Sequence, residues 1–310
     1  MRILQRTADR LPDWRGCVAT IGNFDGIHRG HQIMFERLQA EAAQLQLPVM
    51  VISFEPLPLE LLAPDKAPVR LTNLREKAVQ LARLNIDYLL CLRFNRQLAS
   101  LTATQFCEQL LHEQWQVKSL LIGDDFRFGR GRDGDETLLR KLGADLGFSV
   151  TAIPTQKFAD DRISSTRIRQ ALADADMTTA ATLLGRPYSH IGRVIHGEKR
   201  GRQLGFPTLN MDLQRTQPAI KGIFASRVHG LAATPLNAIS YIGTRPVFHG
   251  ERLLLETHVL DFDDDCYGRC VEVELLQQLR TEQPFTDANA LVEQMQKDVK
   301  QARDYFAVAI

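Results

Sequence analysis

The sequence has no excess of charge of one sign, few cysteines and no long hydrophobic run. Its 38 basic and 37 acidic side chains leave a formal net charge of +1, so the basic excess that favours general nucleic-acid binding is missing. No apolar stretch reaches the ~18 residues of a membrane span, and Arg2, Arg6 and Arg10 stand where a signal peptide would be apolar. We therefore expect a cytoplasmic protein that binds neither nucleic acid nor membrane.

The cysteines and the length bound the kind of protein further. Five cysteines, an odd number scattered among apolar runs, do not form the framework of a small disulfide-rich secreted domain, so reduced thiols are expected. A chain of 310 residues at roughly 150 per domain predicts two domains, each with a core of its own. The sequence does not indicate an oligomeric state.

The first half alternates short apolar runs with amphipathic stretches. Helical spacing of Leu74, Ala78, Leu81 and Leu84, and a capping box at residues 102–105, predict helices between the strands. This alternation predicts a parallel sheet with ligands at the carboxyl ends of its strands. The predicted strands are residues 18–21, 49–54, 88–92, 119–122 and 148–153.

The pattern changes after Gly185, a helix-ending glycine followed closely by Pro187. We place the domain boundary there, giving domains 1–185 and 186–310. An apolar stripe from Leu291 to Phe306 predicts a terminal helix. Strand-like segments without helix-length spacers predict an antiparallel sheet or barrel. They are residues 188–195, 222–228, 238–242, 253–262 and 271–276.

Residues 22–31 (GNFDGIHRGH) follow the first predicted strand and open the first helix. Gly22, Gly26 and Gly30 let the backbone approach a ligand closely, and the amide groups of a helix N-terminus bind phosphate oxygens. His28 and His31 lie three residues apart and could donate hydrogen bonds to a polyphosphate if the helix has begun by His28. Two surface histidines beside a glycine-rich turn, and a zinc site, are the alternatives.

A second glycine-rich segment opens the second domain. Residues 192–205 contain four glycines together with Lys199, Arg200 and Arg202, and could enclose a polyphosphate; a merely solvated basic loop is the alternative. Thr208 and Asn210 are oxygen donors two residues apart, so on an extended segment both could reach a phosphate-bound Mg²⁺.

Three motifs follow one another in the first half: residues 22–31, 123–129 (GDDFRFG) and 163–169 (ISSTRIR). On these motifs, the first half resembles the FMN adenylyltransferase module of the bacterial bifunctional riboflavin kinase/FAD synthetases. It implies a Rossmann-like nucleotidyltransferase domain that joins ATP and FMN to give FAD, with Mg²⁺ and with His28, His31 and Arg169 as catalytic groups. The implied ATP-binding residues are Gly22, Phe24, Asp25, Gly26, His28, Gly30, His31, Ser164, Ser165, Thr166 and Arg169, and Phe54, Asp125, Phe126 and Phe128 are the flavin-binding candidates.

Ser164, Ser165 or Thr166 could cap a helix that runs from Arg167, and the N-terminus of that helix would be a second anion-binding site in this domain. Phenylalanines near strand ends are, however, more often core residues than ligand contacts.

The second half contains residues 201–210 (GRQLGFPTLN), 242–246 (IGTRP) and 255–262 (LETHVLDF) in this order. On these motifs, it resembles the riboflavin kinase module of the same family, an antiparallel β-barrel. It implies phosphorylation of riboflavin to FMN by ATP, with Glu256 as the catalytic base and Thr208 and Asn210 as Mg²⁺ ligands. The implied ATP-binding residues are Gly197, Gly201, Arg202, Gly205, Pro207, Thr208 and Asn210.

The chain departs from the expected family pattern at four positions, Leu57, Phe224, Tyr241 and Val247, which concern flavin contacts rather than the reaction type. Two alternative functions stay open: adenylylation of another acceptor, such as nicotinamide mononucleotide or phosphopantetheine, and a barrel that only binds ligand. A metal site at Cys266 and Cys270 and a calcium site in the acidic run 261–265 are less favoured than plain surface turns.

Overall fold

The chain forms two compact units that interleave along the sequence. The first contains residues 1–68 and 77–164, and the second contains residues 69–76 and 165–310. The computed structural model describes residues 1–6, 9, 13–158, 161–197, 200–215, 217–247 and 250–308, without the side chains of 200, 203, 244–247 and 250–252. Residues 165–184 lie in the second unit; the functional boundary after Gly185 stays a prediction.

The first unit is built on a six-stranded parallel sheet with the strand order β1-β4-β3-β2-β5-β6. The predicted parallel sheet is confirmed. Its edge strand β1 has only three residues, too few for a periodic signal, and the sequence did not predict it. The strands are β1 (Arg2–Leu4), β2 (Cys17–Ile21), β3 (Val49–Glu55), β4 (Tyr88–Arg93), β5 (Val117–Gly123) and β6 (Ser149–Ile153).

Helices connect these strands, because each crossover between parallel strands needs a long connection. The capping box predicted at Thr102 is present: its hydroxyl accepts from the Gln105 amide at 3.2 Å. The helices are α1 (Arg29–Leu45), α2 (Pro58–Leu62), α3 (Leu74–Arg83), α4 (Arg96–Ala99), α5 (Ala103–Gln105), which continues as a π-helix (Phe106–Gln114), and α6 (Glu136–Leu146). A short hairpin, β7 (Lys157–Phe158) and β8 (Asp161–Arg162), follows β6.

The second unit is a closed antiparallel barrel with the strand order β10-β13-β12-β11-β14-β9. The predicted barrel and terminal helix are confirmed. Ala302 and Phe306 of that helix pack against Ala225 and Leu260 of the barrel. The elements are α7 (Ser165–Ala173), α8 (Met177–Leu184), β9 (Tyr188–Ile195), α9 (Arg200–Gln203), β10 (Leu209–Asp212), β11 (Gly222–His229), β12 (Leu236–Val247), β13 (Gly250–Val259), β14 (Cys270–Arg280) and α10 (Ala288–Val308).

Residues 69–76 join the second unit through a buried charge cluster. Glu76 pairs with Arg215, accepts from the Ile191 amide at 3.3 Å, and lies 3.3 Å from the His190 Nδ1. Burial raises the pKa of Glu76, but the Arg215 charge and the His190 hydrogen bond outweigh it, so the pKa lies below its usual value. The charged carboxylate is therefore part of the folded unit.

No helix in the described part of the chain is long and apolar enough to span a bilayer.

Candidate functional sites

The first site is the loop between β2 and α1. The helix begins at Arg29, one residue later than the sequence argument required, and His28 is its N-cap. The His31 amide donates to the His28 Nδ1 at 3.4 Å, and the two imidazole rings stack with their centroids 3.6 Å apart. Because the His28 Nδ1 accepts, its neutral ring carries the proton on Nε2. The predicted pairing of the two histidines at a helix N-terminus is therefore present.

The backbone of this loop is unusual in its dihedral angles. Phe24 and Ile27 have φ values of 46° and 45°, in the left-handed region that side chains other than glycine rarely adopt. The Phe24 ring lies against Gly22, where an added Cβ would come within 3.2 Å of it. Asp25 is buried between these two strained residues. Such strain persists only where the surroundings enforce it, which is typical of ligand-binding loops.

Lys77 contacts the start of this loop, and the sequence analysis missed it. Its buried Nζ donates to the Asn23 carbonyl at 2.7 Å and to the Ser53 hydroxyl at 2.8 Å. A lysine inside an amphipathic helix is usually predicted to face solvent. Its hydrogen bonds to the loop are therefore seen only in the structure.

The imidazole of His31 has a lowered pKa. Burial lowers its pKa well below the usual histidine value, and the nearby His28 ring and Lys77 charge lower it further. The His31 Nδ1 is buried and has no hydrogen-bond partner among the described residues. The site therefore holds a neutral imidazole with an unused polar atom, which is a suitable contact for an incoming ligand.

The candidate flavin residues of the first unit lie at the carboxyl ends of β3 and β5. Phe126 and Phe128 stack with centroids 5.6 Å apart, and Phe128 is buried in the core. Phe54 is half-buried and packs edge-on against Phe94. The exposed Asp125 accepts from Arg162 at 2.6 Å. Phe128 thus serves packing, while Phe54, Phe126 and Asp125 retain accessible surface.

The motif at residues 163–169 forms the start of α7. The helix begins at Ser165 and not at Arg167 as predicted, because both hydroxyl residues before Arg167 adopt helical structure. Arg169 donates from Nε to the Val69 carbonyl at 2.5 Å. Residues 165–169 belong to the second unit and the histidine loop to the first, so the structure describes the two parts of this predicted ATP site separately.

The second site is on the barrel, where β10 pairs with β13. The cross-strand partner of Asn210 is Glu256, and Tyr241 of β12 is the partner of Glu256 on the other side. Asn210 is buried, and its Nδ2 lies 3.4 Å from the Thr208 carbonyl. Two predicted metal-binding residues and the predicted base are therefore neighbours.

The glycine-rich segment lies against these side chains. A Cβ on Gly197 would come within 2.5 Å of the Asn210 amide, and one on Gly201 within 2.4 Å of the Phe206 carbonyl. Gly205 has a φ of +86°. These three positions require glycine because the backbone approaches other groups closely or turns left-handed. Lys199 lies outside the described residues.

Two cavities meet at Thr208. The first, of about 460 Å³, contains Glu256 and His258 and is bounded by apolar side chains of the barrel and α10, among them Ile239, Leu291 and Met295. The second, of about 470 Å³, is lined by Arg202, Pro207, Tyr267 and the acidic residues 263–265. Thr208 lines both. Two ligands bound in these two cavities would therefore meet beside Thr208.

Comparisons with known proteins agree with this division into two sites. A FAD synthetase family model matches residues 11–167, and a riboflavin kinase family model matches residues 184–306. The bifunctional riboflavin kinase/FMN adenylyltransferase of Escherichia coli K12 is 50% identical over 94% of both chains. The chain belongs to this bifunctional family. Its N-terminal part is a FAD synthetase domain and its C-terminal part a riboflavin kinase domain.

Two further relatives extend the comparison. The protein of the same name from Pseudomonas fluorescens is 42% identical and covers 98% of this chain and 97% of its own. A crystal structure described as a macrolide-efflux protein from Streptococcus pneumoniae has a TM-score of 0.78 at 30% identity, covering 97% of this chain and 98% of that one.

The departures from the bifunctional family's pattern fall in different surroundings. Tyr241 lines the first barrel cavity, and its hydroxyl donates to Glu282 at 2.6 Å. Phe224 is fully buried, and Leu57 is buried ahead of α2. The Val247 side chain is outside the described set. Among the three departures whose side chains the structure describes, Tyr241 is the one that lines the cavity containing Glu256.

The other metal sites considered from the sequence find no support in geometry. All five cysteines are free thiols, and no group of three or more His, Cys, Asp or Glu side chains converges in the described part of the chain.

Residues 129–134 (GRGRDG) match the spacing of a dinucleotide-binding motif. In the structure, however, a β-bridge between Phe128 and Gly134 joins the two ends of this loop before α6 begins. It therefore lacks the direct strand-to-helix turn of such sites.

Proposed function

We propose that the second unit phosphorylates riboflavin at the Thr208–Asn210–Glu256 cluster and that the first unit adenylylates the resulting FMN at the His28–His31 loop. Both steps use ATP. The observation that carries the proposal is the cross-strand placement of Glu256 opposite Asn210, with Glu256 lining the first cavity and Thr208 lining both cavities.

The kinase step needs a base because the riboflavin hydroxyl is not ionised near neutral pH. Glu256 accepts this proton as the oxygen attacks the γ-phosphorus of ATP, and the bond from that phosphorus to ADP breaks. The first cavity, with its apolar wall and Glu256, suits the flavin. The second cavity, with Arg202 and Tyr267, suits the nucleotide.

Thr208 and Asn210 have the chemistry of a magnesium site. The Asn210 Nδ2 faces the Thr208 carbonyl, which leaves the Asn210 Oδ1 and the Thr208 hydroxyl as oxygen donors beside Glu256. These residues would hold Mg²⁺, which would shield the phosphate charges of ATP. Gly197 and Gly201 keep the space beside these donors clear of side chains.

The adenylyl transfer step needs no base. The attacking phosphate of FMN is largely ionised at neutral pH because its second pKa is ~6. Its oxygen attacks the α-phosphorus of ATP, and pyrophosphate leaves. The His28 Nε2–H, the neutral His31 ring and the N-terminus of α1 stabilise the negative charge on the leaving group. The roles of Ser164, Ser165, Thr166 and Arg169 at this site stay predictions, as does the cytoplasmic location.

The direct test is to incubate the purified chain with riboflavin, ATP and Mg²⁺ and to separate the products by chromatography. FMN, FAD, ADP and pyrophosphate are all expected. With FMN supplied instead, FAD and pyrophosphate should form without ADP. A barrel that only binds ligand would give no FMN or ADP from riboflavin, and a different acceptor would leave FMN unused while nicotinamide mononucleotide or phosphopantetheine reacted.

A further inference from the structure

His258 lies on the same face of β13 as Glu256. Side chains two residues apart on a strand point the same way, and both line the cavity assigned to the flavin. Thr257 between them points into the barrel, where it is fully buried and bonded to the Ser240 hydroxyl at 2.8 Å. Because a shift of one residue would reverse every side chain, this buried contact fixes both Glu256 and His258 toward the cavity.

The His258 ring holds the backbone immediately before Thr208. Its Nδ1 lies 2.8 Å from the Pro207 carbonyl oxygen, and since a carbonyl only accepts, the ring nitrogen donates. The Phe206 ring packs edge-on against the imidazole, with centroids 5.6 Å apart. The Pro207–Thr208 peptide is thus tied to the strand that carries the base.

No described ladder pair holds this peptide in place. The pairing of β10 with β13 begins at Leu209, beyond this peptide. In the following Thr208–Leu209 peptide, the contact from the Asn210 side-chain amide to the Thr208 carbonyl is long, at 3.4 Å. The hydrogen bond from His258 to the Pro207 carbonyl is therefore a short polar contact that ties the Pro207–Thr208 peptide to β13.

We propose that His258 is a positioning residue for the kinase step: by holding the Pro207 carbonyl, it sets where Thr208 lies relative to Glu256. One strand then carries the base and fixes the neighbouring metal-binding segment. The inference rests on the proposed kinase function of the barrel. A displacement of reacting groups by ~1 Å can cost about 10²-fold in rate, so loss of this contact should be measurable.

Two amide substitutions separate the role of Nδ1 from that of the rest of the ring. In His258→Asn, the side-chain amide nitrogen can occupy the place of Nδ1 and donate to the Pro207 carbonyl. In His258→Gln, the amide lies near the place of Nε2 and that contact is lost. We expect kcat for riboflavin phosphorylation to stay within a few-fold of the parent for Asn and to fall about 10²-fold for Gln.

Two measurements accompany the rates in the full-length chain. Hydrogen exchange of peptides covering residues 204–211, without ligand, should be faster in the Gln variant and near the parent rate in the Asn variant. FAD formation from supplied FMN should be unchanged in both. Equal kinase rates in the two variants, or unchanged exchange in the Gln variant, would overturn the proposal. Absence of FMN formation by the parent chain would instead contradict the proposed kinase function itself.

Discussion

The two proposed sites have different architectures, although ATP is the proposed cosubstrate of both. In the first unit, the proposed ligand-binding groups come from one continuous loop and the helix N-terminus after a parallel strand. In the second, they come from β10 and β13, which pair antiparallel, so that Glu256 faces Asn210. The difference follows the acceptor: an ionised phosphate needs charge stabilisation and alignment, whereas an alcohol also needs a carboxylate to take its proton.

The substitution Glu256→Gln should separate the two activities most strongly. The amide keeps the size of the side chain but cannot accept the riboflavin proton, so FMN formation should fall by about 10²–10⁴-fold. FAD formation from supplied FMN should not change. Glu293→Gln, at an exposed carboxylate on α10, is the matched control and should leave both rates intact. Parallel loss of both activities would show that the sites are not chemically separate.

The double substitution of His28 and His31 by Ala should have the opposite effect. It removes the N-cap of α1 and the polar groups nearest the helix N-terminus, so FAD formation from FMN should fall by about 10²–10³-fold. Riboflavin phosphorylation should continue. His112→Ala, at an exposed histidine of the same unit, serves as the control. Undiminished FAD synthesis in the double variant would remove the histidine loop from the mechanism.

The charge cluster of the second unit gives a comparison in stability. Glu76→Gln leaves the Arg215 guanidinium buried without its counter-charge, which should lower the stability of this unit by about 3–5 kcal/mol. Urea unfolding followed by the loss of kinase activity measures the effect. Adding Arg215→Met removes the buried guanidinium charge and should restore much of the stability. A single variant as stable as the parent would mean that the cluster does not stabilise the fold.

The smallest effect concerns the protonation of His31. Because the pKa of His31 is lowered in the folded chain, His31 takes up a proton below pH ~6.5 in the unfolded chain but stays neutral in the folded chain. Stability of the first unit should therefore decrease as the pH falls through that range, and His31→Gln should flatten this part of the profile. NMR titration checks the cause: the His31 ring signals should not shift between pH 8 and 6. A titration centred near 6.5 would contradict it.

The sequence predicted those features that depend on local pattern. Both sheets, the helix N-terminus at the histidine loop and the glycine-rich segment before Thr208 follow from periodicity and from residues close together in the chain. The strand β10 was not predicted because its four residues are too few for a periodic signal.

Long-range placement could not be predicted. Lys77 lies 54 residues from Asn23, and His258 lies 51 residues from Pro207. Neither position has a distinctive local pattern, since lysines on helices and histidines on strands usually face solvent. Only the pairing of the strands and the packing of the helices bring these side chains to the loops they hold.

The interleaving of the two units has a consequence for synthesis of the chain. Residues 69–76 leave the ribosome early, but Glu76 must wait for Arg215, which follows 139 residues later. At ~5–20 residues per second, the Glu76 carboxylate is made roughly 7–28 seconds before its Arg215 partner. In the nascent N-terminal half, the Glu76 carboxylate therefore cannot be buried with its partner until Arg215 has been made. Because the units interleave, no single division of the chain separates them into two complete pieces.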